Sequence, residues 1–176
     1  MEKLFLIGYR GTGKTTLGKK VSNKLGYEFI DLDELIVKNA KKTIPEIFST
    51  QGESAFREYE TNALKQVLEK EKIIVACGGG IITKDENIEL MKKNGVVCLL
   101  TASPHTIFKR IYTDRNRPAL TNKNPLEEII FMLEKRKSAY EKAKDFEVTT
   151  ERGKKSEQLE KIITKYLEKI TENPLK

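Results

Sequence analysis

Apolar residues along this chain gather in short runs at residues 4–7, 28–32, 73–77, 96–100 and, more weakly, 146–149. A short apolar run bounded by turn residues reads as a buried strand. Apolar spacings of three and four between the runs read as helix faces. Strands alternating with helices predict a parallel α/β sheet covered on both sides. The punctuation agrees. Thr43-Ile44-Pro45-Glu46 has the form of a capping box. Ser103-Pro104 and Asn124-Pro125 each set a capping side chain before a proline at the first helical position. Gly26 and Gly95 stand where helices should stop, and Gly52 where one should be interrupted.

Three helical stretches carry polar residues that need explaining. A helix is expected over 34–40, directly after Asp31-Leu32-Asp33. Another is expected over 53–71, with its stripe at Phe56, Ala63, Leu64, Val67 and Leu68 and with Arg57 bordering it. A third begins near Pro125 and lines up Leu126, Ile129, Leu133, Arg136 and Tyr140. An inward-facing guanidinium at 136 requires a counter-charge or a wet cleft. Before that helix, residues 113–124 are polar, basic and without period. A connection this long inside a compact domain is often a lid or binding loop.

Length and composition narrow the class. The 176 residues suit one domain with one sheet. No stretch approaches the roughly 20 apolar residues of a membrane span, and the opening reads as a buried strand rather than a signal peptide. Cys77 and Cys98 both lie in apolar runs, which favours small core residues in a reduced cytoplasm over a disulfide or metal site. The net charge of +7 suits nucleotides, acidic metabolites or nucleic acid. The charges are interleaved, as in Glu69-Lys70-Glu71-Lys72, which is the pattern of a solvated helix face and argues little for nucleic acid. No linker, internal repeat or low-complexity block divides the chain.

The chemistry begins at Gly8-Tyr9-Arg10-Gly11-Thr12-Gly13-Lys14-Thr15, which fits the phosphate-binding pattern G-x-x-x-x-G-K-[ST] at every fixed position. Glycines let the backbone wrap close to phosphates, the lysine reaches the β- and γ-phosphates, and the threonine hydroxyl can ligate Mg²⁺. A strand precedes the loop and a helix to about residue 25 follows, adding the positive end of its dipole. In an open parallel sheet ligands sit beyond the carboxyl ends of the strands. There the second strand offers Asp31 and Asp33, the third Gly78-Gly79-Gly80, and the fourth Thr101 and Ser103. The third strand lacks the Asp that often holds Mg²⁺, so the metal carboxylate should come from Asp31 or Asp33. A spacing of two would put both on one face of an extended chain, roughly 7 Å apart. For Asp33 the alternative is a helix cap, for Arg57 a pair with Glu53, for Arg136 an internal ion pair, and for the glycines a plain turn. Otherwise Arg57 and Arg136 together can clamp a carboxylate.

Gly8–Thr15, Asp31-Leu32-Asp33, Phe56-Arg57, Gly78-Gly79-Gly80, Arg117-Pro118 and Arg136 followed by Tyr140 occur in this order over nearly the whole length. In this the chain resembles the shikimate kinase family. The resemblance implies a P-loop NTPase-type three-layer sandwich with five parallel strands ordered 2-3-1-4-5. It implies Mg²⁺-dependent transfer of the ATP γ-phosphoryl group to the 3-hydroxyl of shikimate, on the route to chorismate and the aromatic amino acids. By the same resemblance, Gly11, Thr12, Gly13, Lys14, Thr15 and Thr16 hold the phosphates, Thr15 and Asp31 serve Mg²⁺, and Arg110 stacks on adenine. Asp33 bonds the substrate hydroxyls and is placed to accept the proton. Arg57 and Arg136 clamp the carboxylate, Gly79 and Gly80 contact the ring, and Arg117 is the catalytic lid arginine that reaches the phosphates. The substrate segment is expected at about 33–60 and the lid at about 113–124, in a cytoplasmic monomer acting on two small molecules without nucleic acid or membrane. The alternatives are another small-metabolite kinase, such as a gluconate kinase, and a nucleic-acid-binding NTPase. Asn122-Lys123-Asn124-Pro125 lacks the Asp of a guanine-binding motif.

Overall fold

The computed structural model describes residues 2–111, 124–151 and 154–172. Among these residues five strands, β1 (Lys3–Ile7), β2 (Glu28–Asp31), β3 (Ile73–Ala76), β4 (Val96–Thr101) and β5 (Phe146–Thr149), form one sheet in the order β2-β3-β1-β4-β5. Every pairing is parallel, with Phe5 opposite Val75 on one side and Val97 on the other. This is the fold class and strand order that the resemblance implied.

Among the described residues, seven α-helices connect and cover the strands: α1 (Lys14–Leu25), α2 (Leu32–Ala40), α3 (Ile44–Leu68), α4 (Asp85–Asn94), α5 (Pro104–Ile111), α6 (Pro125–Ala143) and α7 (Lys155–Glu172). The two-residue period of a strand decides which core each side chain joins. Phe5, Ile7, Val75, Val97 and Leu99 face α2, α3, α4 and α6. Leu4, Leu6, Ile74, Cys98 and Leu100 face α1 and α7. Both faces of β1, β3 and β4 are therefore dry, which is why these runs are continuously apolar. A fully buried leucine such as Leu6 contributes about 2 kcal/mol of burial. The edge strand β5 instead alternates buried and exposed residues, and this explains its weak apolar signal.

Two boundaries differ from the pattern in the sequence. The second strand stops at Asp31, because the Asp31 carboxylate accepts the amide of Asp33 at 3.0 Å and starts α2 at Leu32. The third helix ends at Leu68 rather than 71, and Lys72 turns the chain through a positive φ of 52° into β3. The capping box forms as expected, with Thr43 and Glu46 bonding reciprocally. Gly52 (φ 82°) breaks the helical path within α3 without ending it. Among the described residues no helix is long and apolar enough to cross a membrane.

Candidate active site

The carboxyl ends of β1, β2 and β3 converge on one edge of the sheet. There the P-loop passes directly into α1, capped by Gly13 in the left-handed region at φ 95°. A side chain at that φ would strain the backbone, so glycine is required. The first turn of α1 holds no acidic residue to offset the positive end of its dipole. Lys14 lays its ammonium against the Gly8 and Tyr9 carbonyls, at 2.7 and 3.0 Å. Residues 11–16 and Arg110 line one cavity of about 710 Å³, within the usual range for ligand clefts. All the residues assigned to the nucleotide from sequence, apart from Arg117, thus share one cavity. Arg117 and residues 113–123 of the expected lid lie outside the described residues.

The expected metal ligands fit a hard cation. The Thr15 hydroxyl donates to Asp31 Oδ2 at 2.8 Å, which brings one hydroxyl and one carboxylate together at the cavity wall. Mg²⁺ typically takes one or two protein oxygens and fills its octahedron with water and phosphate oxygens, so a richer cage is not needed. The two aspartates do not share a face of an extended chain as expected from their spacing. Asp31 caps α2 and Asp33 lies in its first turn. The capping role considered for Asp33 therefore belongs to Asp31.

A narrower cleft opens beside the first. Arg57, Arg136, Gly79 and Gly80 line it, and Asp33 and Arg10 line both cavities. Arg57 is 8% exposed, and the pair with Glu53 considered from sequence forms. It donates through Nε and Nη2 to Glu53 and through Nη1 to the buried Glu60. A guanidinium carries five N–H donors. Three are used within α3, which leaves two for a ligand. Burial raises the Glu60 carboxyl above its ordinary range, against the pull of Arg57, while the hydrogen bond from Arg57 lowers Glu53.

Arg136 is 6% exposed. It donates to the Gly79 carbonyl at 3.1 Å, stacks 5.9 Å from the Tyr9 ring centre, and leaves its Nε without a hydrogen-bond partner. Among the described residues no carboxylate pairs with it, so the internal ion pair considered from sequence does not form. A buried cation without a counter-ion is an invitation to an anionic ligand. Tyr140 also bonds the Gly79 carbonyl, at 2.7 Å, and burial pushes its hydroxyl up to about 12. A Cβ on Gly80 would lie 2.3 Å from Arg57 Nη1, so the guanidinium would have to shift to admit one.

Sequence reasoning missed three residues. Glu60 sits one turn beyond Arg57 on the apolar face of α3, a position that flags a buried carboxylate next to an arginine. Glu128 is 2% exposed and bonds Arg10 at 2.6 Å. It stands eight residues before Arg136, on the same face of α6. Glu151 accepts from the Ser103 amide and from the Ser103 and Thr106 hydroxyls. No sequence pattern pointed to it.

Known proteins of similar sequence and structure place the chain in a family. The family model described as shikimate kinase matches residues 10–171. A shikimate kinase of Thermodesulfovibrio yellowstonii is 46% identical over 166 residues, covering 94% of this chain and 95% of the relative. One of Caldicellulosiruptor saccharolyticus is 38% identical over 169 residues, 96% of this chain and 98% of the relative. The structure of shikimate kinase from Acinetobacter baumannii in complex with shikimate superposes with a TM-score of 0.90 at 34% identity, covering 100% of this chain and 96% of that one. The chain belongs to the shikimate kinase family, whose members phosphorylate shikimate with ATP and Mg²⁺.

Proposed function

We propose that the two cavities divide this phosphoryl transfer between them. The P-loop cavity takes Mg²⁺-ATP, and the arginine-lined cleft takes shikimate by its carboxylate. The observation that carries this reading is the position of Asp33, which lines both cavities. A phosphoryl acceptor must lie where the two bound molecules meet. A carboxylate there can orient the 3-hydroxyl and accept its proton, worth typically 10²–10⁴-fold in rate.

The other residues position and stabilise charge. Arg136 and the two remaining N–H groups of Arg57 hold the substrate carboxylate bidentately. Gly79 and Gly80 let the ring approach the backbone. Lys14 exchanges the two loop carbonyls for the β- and γ-phosphates. Mg²⁺, held at Thr15 and Asp31, would neutralise charge on the β- and γ-oxygens. Arg117 is assigned from sequence to the same charge, and arginines in this role are worth much of the rate.

The reading takes the enzyme as a monomer in the cytoplasm, with neither nucleic acid nor membrane as partner. ADP release measured with shikimate, gluconate and AMP in parallel tests the proposal. Saturable, Mg²⁺-dependent turnover is expected with shikimate alone. Equal turnover with gluconate would mean that the cleft recognises a carboxylate but not the ring.

A further inference from the structure

The residue after β5, Thr150, uses every polar group it has. It is 4% exposed. Its amide donates to the Thr101 carbonyl at 2.7 Å, and its carbonyl accepts from Arg110 Nη2 at 2.7 Å. Its hydroxyl accepts from Arg110 Nη1 at 3.0 Å and shares its proton between the Thr12 carbonyl at 3.0 Å and the Thr101 carbonyl at 3.2 Å. Arg110 Nη1 also reaches the Gly11 carbonyl at 3.1 Å. Two successive P-loop carbonyls are thus fastened from outside by one threonine–arginine pair.

This fastening has a consequence for the phosphate cradle. In a trans peptide the C=O and N–H of one plane point in opposite directions. Holding the Thr12 carbonyl against Thr150 therefore aims the Gly13 N–H away from Thr150, toward the side from which a P-loop cradles phosphates. Gly13 cannot hold that plane by itself. It sits at φ 95° with no side chain, and glycine planes rotate at low cost. The donated bond from Arg110 polarises the hydroxyl and strengthens its grip on the carbonyl.

We propose that Thr150 is a positioning residue of the nucleotide site, whose hydroxyl sets the Thr12–Gly13 peptide plane and so orients a phosphate-binding amide. The proposal rests on the nucleotide reading of the P-loop cavity.

The test uses the full chain and three variants, with Mg²⁺-ADP and Mg²⁺-tripolyphosphate as probes in calorimetric titrations and with steady-state turnover beside them. Thr150→Val keeps the shape and removes the hydroxyl. It should weaken both probes by a similar factor, on the order of tenfold. It should also raise the KM for ATP while leaving that for shikimate unchanged. Thr150→Ser restores the hydroxyl and should bind both probes as the natural protein does. Tripolyphosphate separates the phosphate cradle from contacts to the base. A loss seen with ADP alone would place the effect at the nucleobase and overturn the proposal. Unchanged affinities in folded Thr150→Val, or a shikimate KM that rises as much as that for ATP, would also overturn it. If the valine protein does not fold, Thr150→Ala is compared with Thr150→Ser, and equal affinities in those two would be decisive against the proposal. If the natural protein binds neither probe, the nucleotide reading falls and the proposal with it.

Discussion

Thr15 gives its hydroxyl proton to Asp31 Oδ2 across 2.8 Å, while Asp31 Oδ1 takes the amide of Asp33 at 3.0 Å. One carboxylate thus ties the first turn of α1 to the first turn of α2. On the proposed reading, it holds the metal side and the acceptor side of the site in fixed relation.

Asp31→Asn should reveal the metal role. The amide oxygen can still cap α2, so the fold should survive, but the charge facing the cation is gone. The half-saturating Mg²⁺ concentration for turnover should rise by about 10–100-fold, the usual range for a disturbed metal shell. A Mg²⁺ titration curve that does not move would reduce Asp31 to a helix cap.

Asp33→Asn should leave the protein folded, because Asp33 does not serve as the cap of α2. The turnover number should fall by about 10²–10⁴-fold, with smaller changes in either Michaelis constant. Circular dichroism and a melting curve would establish folding, and a coupled ADP assay would give the rate. Near-normal turnover would remove proton acceptance from the list of its tasks.

Arg136→Ala deletes the buried cation that has no carboxylate partner among the described residues. Loss of a charged hydrogen bond costs about 1.5–3 kcal/mol, so the KM for shikimate should rise about 10–100-fold. The constant for ATP should stay put. Arg136→Lys should recover little, since an ammonium cannot offer the planar fork. A normal shikimate constant in the alanine protein would show that Arg136 serves only Gly79 and the fold.

What the sequence disclosed followed from local rules. The P-loop, the proline-marked helix starts and the apolar runs are each decided within a few residues, so these elements were readable directly. The strand order was implied by family resemblance and not by pattern, since no local signal tells β3 to lie between β2 and β1. Asp31 and Asp33 were found as a pair, but their arrangement was misjudged because a cap at Asp31 ends the strand before the second aspartate. Arg57 has in Glu53, four residues earlier, a partner that the sequence offers. Its burial depends on Glu60, and that carboxylate is buried only once α3 packs against the glycine loop. Glu151 and Thr150 act on Ser103, Thr106, Arg110 and the P-loop, all of them more than 35 positions away in the chain. Contacts of that separation leave no mark in a local pattern.

Glu151 also predicts a pH dependence. The Ser103 amide first, and then the Ser103 and Thr106 hydroxyls, hold its carboxyl down to about 2, against an ordinary value of 4.5. A depressed acid stabilises the folded chain when it is ionised in both states. That contribution is fully present above about 4.5 and is lost as the pH falls toward about 2. Glu151→Gln keeps much of the shape and none of the charge, so its melting temperature should lie below that of the natural protein at neutral pH. The gap should narrow steadily as the pH drops from about 5 toward about 3, because the natural protein loses what the variant never had. Melting curves of both proteins at closely spaced pH values would show this. The carboxylate holds the start of α5, which carries Arg110 at its far end, so Arg110 should move with it. The KM for ATP should rise in Glu151→Gln at neutral pH while that for shikimate holds. A gap in melting temperature that stays constant from neutral to acid pH would mean that Glu151 is bound to Ser103 and Thr106 no more tightly than to water.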